Sequence, residues 1–179
     1  PIERSKEIIA SIKAQGKADM IVCLSHSGTD SNPKKSEDEL LALAVPEIDL
    51  IISGHSHTLL EQPIVHGDTV IASCGNYTDN LGHVVLTPKG ERWTVKNYQL
   101  IPLDSHIDND VTILKEIEEF RDLVSQSYFS KFGYSYDDIL AISPFTFTDI
   151  NHFADVQGED TLGNLISDSY QYAVKKAEE

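Results

Sequence analysis

The most constraining stretch of this chain is Glu47–Thr58, which reads Glu-Ile-Asp-Leu-Ile-Ile-Ser-Gly-His-Ser-His-Thr. A short apolar run, Leu50-Ile51-Ile52, stops at Ser53-Gly54 and delivers two histidines, His55 and His57. Runs of this length and β-branched content predict a buried strand, and the glycine lets the backbone turn sharply after it. Both imidazoles then sit at the carboxyl end of a core strand, the edge where open α/β sheets hold their ligands. Alternate residues on extended backbone point to opposite sides, so His55 and His57 can serve two adjacent metals rather than one.

A third histidine stands in a matching place. Asp19-Met20-Ile21-Val22-Cys23-Leu24 is another apolar run, and it breaks into Ser25-His26-Ser27-Gly28. Between the two runs, Ser36-Glu37-Asp38-Glu39 has the form of a capping box, and Leu40, Leu41, Leu43 and Ala44 supply an apolar stripe up to Pro46. A strand–helix–strand crossover makes the two strands parallel and brings their carboxyl ends to one edge, with His26 beside His55 and His57. A lone histidine after a strand is more often a cap or a core residue than a ligand. Three of them at two parallel strand ends favour a metal, and imidazole suits Zn, Mn, Fe, Co or Ni better than Ca.

These motifs resemble those of the calcineurin-like metallophosphoesterases. Ser25-His26-Ser27-Gly28 and Gly54-His55-Ser56-His57 are similar to the last two metal-binding motifs of that family, closest to its 5′-nucleotidase and UDP-sugar hydrolase branch. The Pro63-containing hairpin downstream and Asn80-Leu81-Gly82 extend the likeness. The resemblance implies two divalent metal ions, Zn, Mn or similar, with His26 and His55 on one and His57 on the other. It also implies an α/β fold, a metallo-dependent phosphatase-like mixed-sheet sandwich flanked by helices.

Composition bounds the partners. With 29 acidic against 14 basic residues, the formal charge of −15 argues against a nucleic-acid phosphate backbone as a ligand. No apolar run approaches the roughly 18 residues of a membrane span. Cys23 and Cys74 lie in strand-like contexts and read as two buried thiols rather than a disulfide.

The rest of the chain is predicted in order. A helix over 2–15 ends near Gly16. Gly67-Asp68 turns a hairpin within 62–73, with His66 read as a solvated turn residue, and Cys74-Gly75-Asn76-Tyr77 is a candidate lining of the histidine edge. Strands follow over 83–87 and 92–100, and His83 and His106 read as structural. Residues 110–127 form a long helix with Val111, Leu114, Ile117, Phe120 and Val124 as its stripe. Residues 128–138 read as loop, 139–142 as a short strand, and Asp160 or Thr161 caps a helix running to about Ala177.

Glu159-Asp160-Thr161-Leu162-Gly163-Asn164-Leu165-Ile166-Ser167-Asp168 resembles the Glu-Thr-x-Leu-Gly-Asn-Leu-Ile-x-Asp opening of the C-terminal domain in 5′-nucleotidases, slightly shifted in order. The resemblance therefore divides the chain into 1–102, the C-terminal half of a metallophosphoesterase domain; 103–130, a linker helix; and 131–179, the beginning of a nucleotidase C-terminal domain. Ahead of its histidine motifs the family carries Asp-x-His, Gly-Asp and Gly-Asn-His-Glu/Asp motifs, and none of these precedes His26 here. By that comparison the chain is part of a larger enzyme, with the missing N-terminal segment as its partner and no catalytic residue of its own. The implied activity is nucleotide phosphate ester hydrolysis by metal-activated water, in nucleotide catabolism, in an extracytoplasmic setting (periplasmic, secreted or cell-wall attached). UDP-sugar or 2′,3′-cyclic nucleotide hydrolysis, a non-catalytic metal-binding domain, and an interaction module with structural histidines are the alternatives.

Overall fold

In the computed structural model, which describes residues 1–149, 152 and 158–179, the chain divides into two compact units, Pro1–Asn109 and Asp110–Glu179. The first opens with α1 (Ile2–Ala14), β1 (Val22–Ser25), α2 (Glu37–Ala44) and β2 (Leu50–Ser53). It continues with β3 (Ile64–His66), β4 (Thr69–Ala72), β5 (Asn80–Lys89) and β6 (Arg92–Pro102). Strands β1 to β4 form one sheet in the order β1-β2-β4-β3, while β5 and β6 pair as a separate antiparallel ribbon. This is the mixed sheet flanked by helices that the sequence predicts.

The crossover through α2 works as expected. It makes β1 and β2 parallel neighbours in the register Val22↔Leu50 to Ser25↔Ser53, so both strands end on the same edge. β4 adds parallel to β2, and β3 folds back on β4 through Gly67, whose φ of +62° suits the tight turn.

Side chains alternate across the sheet. Ile51 and Ile71, both fully buried, face a core completed by Ile9 of α1 and by Leu41, Ala42, Val45 and Ile48. On the opposite face, Leu50, Ile52 and Ala72 line a cleft of about 330 Å³ together with Leu81, Val84 and Tyr98 of the ribbon. Polar anchors hold the ribbon in place. The Tyr98 hydroxyl donates to the carbonyl of Leu60 at 2.7 Å, Trp93 Nε1 donates to that of Asp19 at 2.9 Å, and the Arg92 guanidinium lies 3.3 Å from the Asp49 carboxylate. The ribbon leaves the β1 side uncovered. Val22 (46% exposed), Leu24 (80%) and Ile52 (47%) stand open there, and the outer edge of β1 pairs with no described strand.

Helix α2 departs from expectation. Ser36 is its N-cap, but its side chain makes no capping bond, and Glu39 bonds His66 instead of the helix start. The buried stripe is not Leu40 and Leu43, which are exposed, but Asp38, Leu41, Ala42 and Val45. Those positions follow the i, i+3, i+4, i+7 pattern of one helical face, with a carboxylate on the inner side. His66 is likewise not a solvated turn residue. Its Nε2 lies 2.7 Å from Glu39 Oε2 and ties the β3–β4 turn to α2.

The second unit holds α3 (Val111–Ser127), a 3-10 turn (Phe129–Phe132) and α4 (Thr161–Glu178). Asp110 and Asp160 cap the two helices through backbone N–H groups at 2.8–3.2 Å. Donation from Ile113 and Thr112 holds the Asp110 carboxyl below the ordinary carboxylate range. The expected strand over 139–142 is not formed; those residues run as irregular backbone. A strand is stable only with a neighbour to take its ladder bonds, and none pairs with this segment among the described residues.

Candidate functional site

The carboxyl edge of β1, β2 and β4 gathers three loops, 25–29, 53–58 and 73–79. The first two interlock. The N–H of Gly54 donates to the Ser25 carbonyl at 3.0 Å, extending the β1–β2 pairing one step past the strands. The N–H of Thr29 donates to Ser56 Oγ at 3.0 Å, and Ser56 Oγ lies 2.9 Å from Thr58 Oγ1.

Two glycines make this interlocking possible. A β-carbon on Gly54 would stand 3.0 Å from His26 Nδ1, so the His26 ring rests against bare backbone. One on Gly28, whose φ is +94°, would stand 2.9 Å from the Cβ and Oγ of Ser56. Gly28→Ala is therefore expected to combine a left-handed backbone penalty with a clash, costing about 1–3 kcal/mol. Urea unfolding of the variant, with the wild-type slope, measures it; an unchanged midpoint would show that the two loops are not locked together.

The histidines occupy strained backbone. Among the described residues, all four non-glycine positions with positive φ lie at this edge: His55 (66°), His57 (55°), Tyr77 (51°) and Thr78 (64°). Left-handed conformations at non-glycine residues are uncommon and cluster at functional sites. This corrects the extended geometry expected for His55-Ser56-His57. Strand β2 ends at Ser53, and the N–H of Ser56 donates to the Gly54 carbonyl at 2.8 Å, closing a tight turn. The two imidazoles are set by two left-handed turns, not by strand alternation.

The three histidines are not all brought together. The rings of His26 and His55 meet edge to face, with centroids 5.1 Å apart. His57 packs on Tyr77 instead, with ring centroids 5.4 Å apart. All three are exposed at this edge. Among the described residues, no group of three or more His, Cys, Asp or Glu side chains lies at metal-holding spacing. The donors present, two adjacent imidazoles, fit a borderline divalent cation in type and fall short of a full shell in number. His83 is exposed on β5, and among the described residues His106 bonds only Asp104 beside it, at 3.0 Å.

One residue that the motifs do not flag stands behind the pair. Asp38, fully buried on α2, accepts from Ser25 Oγ and from Ser53 Oγ, each at 2.5 Å, and from the N–H of Gly28 at 3.2 Å. Burial, reinforced by the charge of Asp38, pushes the Cys23 thiol up, away from thiolate chemistry. Cys23 and Cys74 are both half-buried thiols, with no disulfide between them. The signal for Asp38 was its place on the inner stripe of α2.

No family model matches the chain. It is 30% identical over 139 residues to the trifunctional nucleotide phosphoesterase protein YfkN of Bacillus subtilis, covering 74% of this chain and 9% of that protein. It is 41% identical over 86 residues to the metallophosphoesterase YunD of the same organism, covering 48% of this chain and 17% of YunD. The chain thus spans less than a fifth of either relative's length. Among solved structures, the sulfate thiohydrolase SoxB of Thermus thermophilus shares the fold, with a TM-score of 0.55 at 24% identity over 73% of this chain and 22% of SoxB.

Proposed function

The chain resembles the metallophosphoesterases of the 5′-nucleotidase branch, and from that premise we propose that it supplies one side of a dinuclear metal centre in a phosphohydrolase. In this reading His26 and His55 hold one divalent ion and His57 a second, and the substrate is a nucleotide phosphate ester. The observation that carries it is the register of β1 on β2, Ser25 opposite Ser53, which sets His26 against His55 at the sheet edge.

The bound ions would activate water and neutralise charge on the phosphoryl oxygens. The chain's own residues orient ligands for that task. His26 is braced against the Gly54 backbone, and His55 is held by its left-handed turn. Tyr77 packs edge to face on His57. Metal ligands work best when their ring orientation is set before the ion arrives.

Three imidazoles cannot fill two metal shells, so the remaining ligands come from another segment of the same enzyme. The open edge of β1 and the uncovered Val22, Leu24 and Ile52 support a docking place for that segment. A match to a nucleotide phosphoesterase favours nucleotides over other esters. The family's extracytoplasmic setting is part of the same proposal, and no helix among the described residues is long and apolar enough to cross a membrane.

The test is metal content and phosphatase activity of this chain, alone and mixed with a polypeptide carrying the Asp-x-His, Gly-Asp and Gly-Asn-His motifs. Alone, the chain is expected to bind metal weakly and hydrolyse little; mixing is expected to produce manganese- or zinc-dependent hydrolysis of nucleoside monophosphates. Stoichiometric binding of one metal per chain with no activity after mixing would instead favour a non-catalytic metal-binding domain.

A further inference from the structure

We infer that Asp38 is the positioning residue of the His26–His55 pair, an assignment that rests on the metal-site reading above. The two histidines sit on separate strands joined through α2, and something must fix one loop relative to the other. The Asp38 carboxylate does so from beneath. Its Oδ1 takes the hydroxyl of Ser25, which immediately precedes His26. Its Oδ2 takes the hydroxyl of Ser53, two residues before His55, and the N–H of Gly28, two residues after His26. Each strand end is thus held by the same acceptor group on α2.

The character of the residue argues against a mere core filler. Asp38 is fully buried on a helix face whose other members are Leu41, Ala42 and Val45. A leucine or alanine there would satisfy packing without burying a polar group, which is costly unless every acceptor is used. Among the described residues, no lysine, arginine or histidine lies within ion-pair distance of it. The carboxylate is satisfied by two hydroxyls and one amide, all from the histidine loops. Buried polar networks of this kind specify one arrangement of the elements they join. Here that arrangement is the edge-to-face contact of His26 with His55.

The experiment compares Asp38→Ala, Asp38→Asn and Ser53→Ala with the wild-type 179-residue chain. Two readouts are used: the nuclear Overhauser cross-peak between the His26 and His55 rings in the metal-free chain, and zinc affinity by calorimetry. Asp38→Ala is expected to erase the cross-peak and weaken zinc about 10–100-fold, the usual effect of losing a group that orients a metal ligand. Asp38→Asn is expected to restore most of both, since the serine hydroxyls can turn to accept from its amide. Ile71→Val, which trims the core at a residue that makes no bond to Asp38, should keep both readouts and so separates positioning from general loss of stability.

If Asp38→Ala does not fold, Ser53→Ala decides, because it cuts only the strut to the His55 strand; it should weaken the cross-peak and zinc affinity in the same direction. A folded Asp38→Ala, or in its place Ser53→Ala, with the wild-type cross-peak and zinc affinity would overturn the assignment. His55→Ala with undiminished zinc affinity would sink the metal reading instead, while the metal-free cross-peak still judges Asp38.

Discussion

In the proposed metal centre, replacing His55 with alanine is expected to lower the metal-dependent hydrolysis obtained on mixing this chain with the missing motifs by more than the 10–100-fold typical of losing a ligand's outer partner. The ring it removes is one of two adjacent imidazoles at the carboxyl edge of the sheet, in contact with His26. An alanine at φ +66° retains the backbone strain and supplies no donor, so an ion held there loses a bond that nothing nearby replaces. In the same proposal, His57→Ala should act in the same direction through a second ion. His83→Ala is the control, since that histidine is exposed on β5. Steady-state hydrolysis of a nucleoside monophosphate in excess manganese provides the measurement. A His55→Ala enzyme retaining half its activity would remove this histidine from the metal centre.

The second large effect is on the fold itself. Ile51→Ala is expected to cost about 2–5 kcal/mol, a substantial part of the roughly 5–15 kcal/mol that holds a domain together. Ile51 is 0% exposed and central in β2, with Cys23 on one side and Ile71 on the other in the ladder. Helix α2 closes over it through Leu41, Ala42 and Val45. Little can move in to fill the space, because the flanking strands are fixed by parallel pairing and the helix by the Asp38 network. Urea titration followed by tryptophan fluorescence measures the loss, since Trp93 anchors the ribbon to this sheet. Its neighbour Ile52 is 47% exposed, and Ile52→Ala should cost far less. Equal losses at the two positions would contradict the alternation of the strand.

The contrast between those neighbours shows what a sequence can and cannot carry. Apolar runs ending in Ser-His and Ser-Gly-His predict two strands, their parallel pairing and their shared edge, because crossover handedness and strand period leave few alternatives. Helices beginning at Asp110 and Asp160 were equally legible, since a capping carboxylate acts on the next two or three N–H groups and needs no distant partner. Residues 139–142 misled because strand propensity is only half of a strand. Ser36 and Glu39 misled because a capping box is decided by competition, and His66 offered Glu39 a better partner from 27 residues away.

The amino-acid order by itself determined most of the chain's local elements, the pairing of β1 with β2 and the edge on which the histidines stand. Only the tertiary structure decided which histidines meet, that His57 turns to Tyr77, and that Asp38 joins both loops from below. Periodicity fixes which face of an element is buried. The direction of a side chain beyond a strand end depends on left-handed turns and on hydrogen bonds between residues far apart in the chain, and neither leaves a periodic trace.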